Sequence, residues 1–116
     1  MNYIVAECAA AGCDEDTISH VTIAASEILA NIDSYAYDNG GEIEILTQCH
    51  DRRMTVMFKD NGPAFDPLQV KPPDVTRSLT ERAHGGHGIF IVRNLMDDVR
   101  YAYENGQNVL TIEADF

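Results

Sequence analysis

Three short stretches carry residues whose types and spacing could do chemistry. Asp60 closes the alternating run Met54-Thr-Val-Met-Phe-Lys59 and is followed by Asn61-Gly-Pro-Ala-Phe-Asp66. Asn-Gly and Gly-Pro mark turns, since Gly permits φ > 0 and Pro fixes φ near −65°. A carboxylate at a strand end, facing a loop where backbone can come close, can hold a polar ligand edge. Gly85-Gly-His-Gly88 precedes an apolar run. Backbone N–H groups at a glycine-rich helix start can converge on phosphate, aided by the helix dipole. Glu27 and Asn31 lie four apart, one above the other on a helix. They stand roughly 110–150° from the middle of the apolar stripe, a carboxylate and an amide aligned on a non-core face. Each stretch also has an ordinary reading: a strand ending in a turn, a flexible hinge, two solvated surface residues.

The elements that must position these residues follow from periodicity. Asn2 to Ala11 reads as a short helix with Ile4, Val5, Cys8 and Ala9 as its apolar side, ended by Gly12. Asp14 or Asp16 can cap a second helix from about Glu15 to Tyr37. Its stripe is Ile18, Val21, Ala25, Ile28, Leu29, Ile32 and Ala36. Ala24, Ala30 and Ser34 leave room beside Glu27 and Asn31, and Asp38-Asn-Gly-Gly41 stops the helix. Glu42 to His50 alternates, with Ile43, Ile45, Thr47 and Cys49 on one side. Asp51-Arg-Arg53 turns the chain, and Met54, Val56 and Phe58 make the opposing strand.

Asp66 to His84 has no period and holds three prolines together with Lys71, Arg77 and Arg82. A loop this long in a compact domain reads as a functional lid, placed at about 67–85, or as disorder. Ile89 to Met96 is apolar on nearly every side except Arg93 and Asn94, as in a buried helix. Val99, Tyr101 and Tyr103 alternate, Asn105-Gly106 makes a hairpin turn, and Leu110, Ile112, Ala114 and Phe116 alternate again. Two hairpins with segregated helices imply an α+β fold. It is a two-layer sandwich, a mostly antiparallel mixed sheet of about four strands with about three helices on one face.

With 116 residues and 45% apolar content, the chain suits one domain over 1–116. No run approaches the ~20 apolar residues of a membrane span, and a soluble cytoplasmic protein is expected. Three cysteines, an odd count without metal-type spacing, read as reduced structural thiols. A net charge of −11 argues against nucleic-acid binding. All eight basic residues lie in 52–116, so an anionic ligand is expected to engage that half or to arrive with a metal cation. The acidic first half is either a solvated face or a docking surface for a basic partner.

Taken together and in this order, Glu27-x-x-x-Asn31, Asp60-x-Gly62 and Gly86-x-Gly88 resemble the ATP-binding domain shared by gyrase, Hsp90, histidine kinases and MutL. Ser26-Glu-Ile-Leu-Ala-Asn31 with Tyr35-Ala-Tyr37, Asp60-Asn-Gly-Pro-Ala-Phe-Asp-Pro67, and Gly85 through Tyr101 look like the anti-sigma-factor serine/threonine protein kinases. The resemblance runs from about Ile18 to Phe116. It implies a Bergerat-type fold, ATP and Mg2+ as cofactors, and phosphorylation of a serine on a small antagonist protein. It also implies a sigma factor as partner, and often a homodimer.

By that resemblance Glu27 is the general base and Asn31 the magnesium ligand. Asp60 accepts from the adenine amino group, and Gly62 lets backbone lie near the base. Gly86 and Gly88, with His87 between them, meet the phosphates. Thr111 on the last strand joins Asp60 at the adenine through water. Ala64 stands where the family usually has a second glycine, which would be strained if the position needs φ > 0. His87 replaces a commoner Leu, and the family's N-terminal strand is apparently absent, leaving a sheet edge open or covered by a partner. Two other readings stay open: a non-catalytic nucleotide-binding or protein-binding regulatory module, and the ATPase domain of a histidine kinase.

Overall fold

Two tight hairpins build the sheet. The computed structural model describes residues 1–36, 42–69 and 87–116, the side chains of 33–36 and of His87 excepted. Strand β1 (Ile43–His50) turns into β2 (Arg53–Asp60) through Asp51 and Arg52, both left-handed at φ 52° and 63°. This two-residue turn matches the twist of the strands it joins. Arg52 is an unusual occupant, and Phe116 holds it in place. The Phe116 N–H donates to the Arg52 carbonyl at 2.9 Å, and Arg52 Nε donates to the Phe116 carbonyl at 2.6 Å. The guanidinium lies 5.2 Å from the centre of the Phe116 ring. Strands β3 (Asp98–Glu104) and β4 (Gln107–Asp115) are joined by Asn105-Gly106 at φ 53° and 76°, the residue types this turn prefers.

The strand order is β1-β2-β4-β3. Every pairing among the described strands is antiparallel, so the mixed sheet expected from sequence is purely antiparallel here. Between β2 and β4 the register aligns Met54 with Ala114, Val56 with Ile112, Phe58 with Leu110 and Asp60 with Asn108. Because side chains alternate, this row shares one face. Helices α1 (Asn2–Ala10), α2 (Glu15–Ala36) and α3 (His87–Leu95) contribute to the same core. Ile4 and Cys8 come from α1, Val21, Ala25, Ile28 and Ile32 from α2, and Ile89 and Val92 from α3. Phe58 is fully buried at the centre, where truncation to Ala would cost about 3–5 kcal/mol.

Asp14 is the residue that caps α2: its Oδ1 accepts the Thr17 N–H at 2.9 Å. Thr17, through its hydroxyl first and this N–H second, holds the Asp14 carboxyl below its ordinary value. On α1 only Ile4 and Cys8 are buried, whereas Val5 and Ala9 are exposed. Cys49 is exposed as well. Helix α3 is not buried all round: Ile89 and Val92 face the core, while Phe90 and Ile91 are 46% and 36% exposed. A helix packed on one side only cannot cover a fully apolar circumference.

The long loop begins with structure. Pro67–Gln69 is a single 3-10 turn with Pro67 buried. Leu68 N–H donates to Asp66 Oδ1 at 2.9 Å, and Arg93 of α3 donates to the Leu68 carbonyl at 2.9 Å. Residues 67–69, where the expected lid begins, form this anchored turn. Asp38-Asn-Gly-Gly41 and residues 70–86, with Arg77, Arg82 and Gly86, lie outside the described residues. None of the helices described is long and apolar enough to cross a membrane.

Candidate functional site

Asp60 ends β2 on the core face of the sheet and is 2% exposed. Burying a carboxylate is costly unless donors surround it. Here the Gly62 N–H donates to Asp60 Oδ1 at 2.9 Å, and Asn108 Nδ2 donates to the same oxygen at 3.0 Å. Gly62 thus brings backbone close to Asp60, and it does so without a positive φ.

Asn108 was not among the expected site residues, yet it organises the region. Also 2% exposed, it stands directly across from Asp60. Beyond Asp60, its Nδ2 donates to the carbonyls of Pro63 at 2.9 Å and Gly62 at 3.3 Å. Its Oδ1 accepts from the Phe65 N–H at 3.0 Å and from the Tyr101 hydroxyl. One amide side chain thereby fixes the strand end, the turn that follows and a tyrosine of β3. Burial pushes the Tyr101 phenol up, with Asp66 and Asp60 acting in the same direction. A signal for Asn108 existed in the sequence: it shares the parity of Leu110, Ile112 and Ala114, a polar residue in a core-facing row.

Thr111 does not join this group. It lies three residues after Asn108, an odd offset, so strand alternation turns it to the sheet face away from the helices. There it is paired in register with Met57 of β2 and Arg100 of β3, and it lines a shallow depression with Met57, Ala102 and Val109. The expectation that Thr111 accompanies Asp60 is corrected by that parity, and Asn108 stands in its place.

Glu27 and Gly88 meet across the α2–α3 interface. A Cβ built on Gly88 would stand 2.8 Å from Glu27 Oε2 and 3.5 Å from Glu27 Cβ. The glycine therefore makes the space that the carboxylate fills. Gly88 is the second residue of α3, so the carboxylate lies beside the first helical turn, where the dipole favours negative charge. Asn31 is one turn further along α2 on the same face and is half-buried. His87 opens α3, and Gly86 lies outside the described residues. The structure thus brings Glu27 to Gly88, members of two motifs that sequence order alone left separate.

Ala64 is not among the residues with positive φ, which in the described chain are Gly12, Asp51, Arg52, Asn105 and Gly106. The position accepts a Cβ, and the strain feared for an alanine there does not arise. Among the described residues no group of three or more His, Cys, Asp or Glu side chains is arranged to hold a metal ion. A divalent ion held by one amide oxygen together with phosphate oxygens and water needs no such cluster.

Comparison with known proteins agrees with this geometry. The chain is 33% identical over 100 residues to the serine-protein kinase RsbW of Bacillus thuringiensis (strain Al Hakam), a match that covers 82% of this chain and 62% of that protein. It is 35% identical over 94 residues to the serine/threonine-protein kinase BtrW of Bordetella bronchiseptica, covering 79% of this chain and 66% of that one. The chain thus spans less than two thirds of the length of either relative. The solved structure of the Acinetobacter baumannii histidine kinase AdeS superposes with a TM-score of 0.61 at 16% identity. It covers 89% of this chain and 47% of that one, and it shows a shared fold. The family described as the histidine kinase-like ATPase domain matches residues 1–114, nearly the whole chain, and the protein belongs to that family.

Proposed function

We propose that the chain is an ATP-dependent protein-serine/threonine kinase domain acting as an anti-sigma regulatory factor. The observation that carries the reading is the contact of the Glu27 carboxylate with Gly88 at the start of α3. It puts a carboxylate beside the N-terminal turn of a helix, on the same α2 face as Asn31, where it would act as base next to bound phosphate. Two relatives named as serine or serine/threonine protein kinases support the reading.

The residues present fit a bound nucleotide. Asp60 is buried and held in orientation by Gly62 and Asn108, and an ionised carboxylate is acceptor-only. It would accept the adenine amino group. Gly88 offers an approach unblocked by a side chain, and with Gly86 and His87 it would meet the phosphates. Asn31 Oδ1 would hold a magnesium ion, a hard cation suited to a neutral oxygen ligand. When bound, magnesium-ATP supplies the transferable phosphoryl group. Glu27 accepts the proton of an incoming serine hydroxyl, while α2 and α3 hold the base and the amides in fixed relation. The acceptor serine belongs to a small antagonist protein, the regulated partner is a sigma factor, the kinase is a homodimer, and the location is cytoplasmic.

The test is a paired measurement on Glu27→Gln. Calorimetric affinity for magnesium-ATP should stay within a few-fold of the parent. Single-turnover transfer to the antagonist should fall by about 10²–10⁴-fold, the usual contribution of a positioned base. Full transfer in the variant removes Glu27 as base. An unmutated protein that binds a sigma factor but transfers nothing would instead establish a non-catalytic module. That reading has lost one support, since Ala64 is unstrained.

A further inference from the structure

Cys8 and Cys13, five residues apart, and the sequence-distant Cys49 lie toward the end of the sheet away from Asp60. Cys8 is in α1, Cys13 follows it, and Cys49 is near the end of β1. Helix α1 ends in a cap with two backbone bonds: Gly12 N–H to the Ala9 carbonyl at 3.1 Å and Cys13 N–H to the Cys8 carbonyl at 3.0 Å. Gly12 sits at φ 88°, the left-handed residue this cap requires. Such a cap folds the residue after the glycine back over the last turn of the helix. In this chain both members of that side-chain contact are cysteines, Cys8 in the core and Cys13 packed against it.

The ordinary outcome of this cap is a small apolar contact. Sulfur at both positions sets two thiols together, and burial raises both of them. The 3.0 Å backbone bond ties the two residues through atoms one or two bonds from each Cα, and the Cys13 side chain packs against the core to which Cys8 belongs. Both conditions agree with the roughly 4.4–6.8 Å Cα separation that a disulfide spans. Access is graded. Cys8 is fully buried, Cys13 is partly exposed, and Cys49 is exposed on the wall of a cleft of about 240 Å³ shared with Ala10 and Ala11. Burial pushes the Cys8 thiol up to about 11, and Cys13 and Cys49 act in the same direction.

We propose that Cys8 and Cys13 are a dithiol modification site that closes to a disulfide by exchange with a small-molecule disulfide. Cys13, the accessible member, attacks one sulfur of the reagent as thiolate, forms a mixed disulfide and releases one small thiolate. Cys8, as thiolate, then attacks the Cys13 sulfur; the mixed bond breaks and the second small thiolate leaves. The two cysteines lose two electrons and two protons, and the reagent is reduced to two thiols. The product is a covalent staple across the α1 cap that includes neither Glu27 nor Asp60.

The experiment treats the full chain with oxidised glutathione, alkylates the remaining thiols and locates them by peptide mass analysis. The expected result is a chain lighter by two hydrogens with Cys8 and Cys13 joined and Cys49 alone alkylated. Cys49→Ser should close the same bridge. A bridge from Cys49 to either other cysteine, absent in Cys49→Ser, overturns the assignment. Three alkylated thiols, or glutathione adducts that persist without closure, overturn it as well.

Discussion

The space left by the missing Cβ of Gly88 is filled by the carboxylate of Glu27, whose Oε2 would lie 2.8 Å from that atom. The nearest obstacle is the far end of a flexible side chain, and the Glu27 Cβ at 3.5 Å is in ordinary contact range. An alanine at 88 should therefore fit the helix pair and displace only the carboxylate. We expect Gly88→Ala to retain the parent Tm within a few degrees while phosphotransfer falls by an order of magnitude or more. Thermal unfolding and single-turnover kinetics on one preparation decide it. A collapse of Tm would show that the backbone, rather than the carboxylate, fixes the approach.

Asn108 offers the complementary case, in which stability and the site fall together. Its amide serves Asp60, Gly62, Pro63, Phe65 and Tyr101. Asn108→Ala removes a donor from a buried carboxylate and leaves other buried groups unmatched. A loss of about 1–3 kcal/mol or more in unfolding free energy is expected, since the orphaned acceptor is charged. Urea unfolding measures it. An unchanged midpoint would mean that water replaces the amide at no cost.

Acid sensitivity should come in part from the outer sheet face. Glu113 is 9% exposed, receives the Thr55 hydroxyl at 2.9 Å and pairs with Arg100. These contacts, Arg100 first, hold its carboxyl below the ordinary 4.5. A lowered folded value means that the unfolded chain binds more protons in the acid range. The contribution is thus fully present above the ordinary value and is lost as pH falls through the folded one. Asp115, held by Arg53, adds in the same sense. Glu113→Gln should lower stability at neutral pH and make the decline below about pH 4.5 shallower. Parallel acid slopes for the two proteins would remove Glu113 from the account.

Much of this architecture was legible before any coordinates. Asn105-Gly106 announced its hairpin, the stripe from Val21 to Ile32 announced α2, and the order of three short motifs announced the family. What stayed hidden depended on contacts between elements. No local pattern says that β2 lies beside β4, so the pairing of Asp60 with Asn108 could not be read directly. Parity alone would have rejected Thr111 in favour of Asn108, a step that needed only the row Leu110, Ile112, Ala114. The exposure of Phe90 and Ile91 was unreadable for another reason. An apolar run has no outward face until its neighbours are known. The turn at Asp51-Arg52 was legible, but its tie to Phe116, 64 positions away, was not.

Asp60 should also decide which base the site accepts. Its Oδ1 takes the Gly62 N–H and the Asn108 amide, both of which an asparagine oxygen can take equally well. Asp60→Asn therefore keeps the loop anchored, but its second atom changes from an acceptor to an NH₂ donor. Rotating the amide gives no escape, since the NH₂ would then face the Gly62 N–H and Asn108 Nδ2, donor against donor. Adenine presents an amino group at C6, so in the variant a donor confronts a donor. Hypoxanthine presents a carbonyl at C6, which repels a carboxylate and accepts from an amide. An unmatched buried pair costs about 1–3 kcal/mol, or about 5- to 150-fold in Kd. We expect the parent to prefer ATP over inosine triphosphate and Asp60→Asn to lose that preference or reverse it. Calorimetry with both nucleotides at one magnesium concentration gives the ratio. If both affinities fall equally, Asp60 holds the loop and does not touch the base. If neither changes, adenine binds elsewhere and the buried carboxylate serves the fold alone.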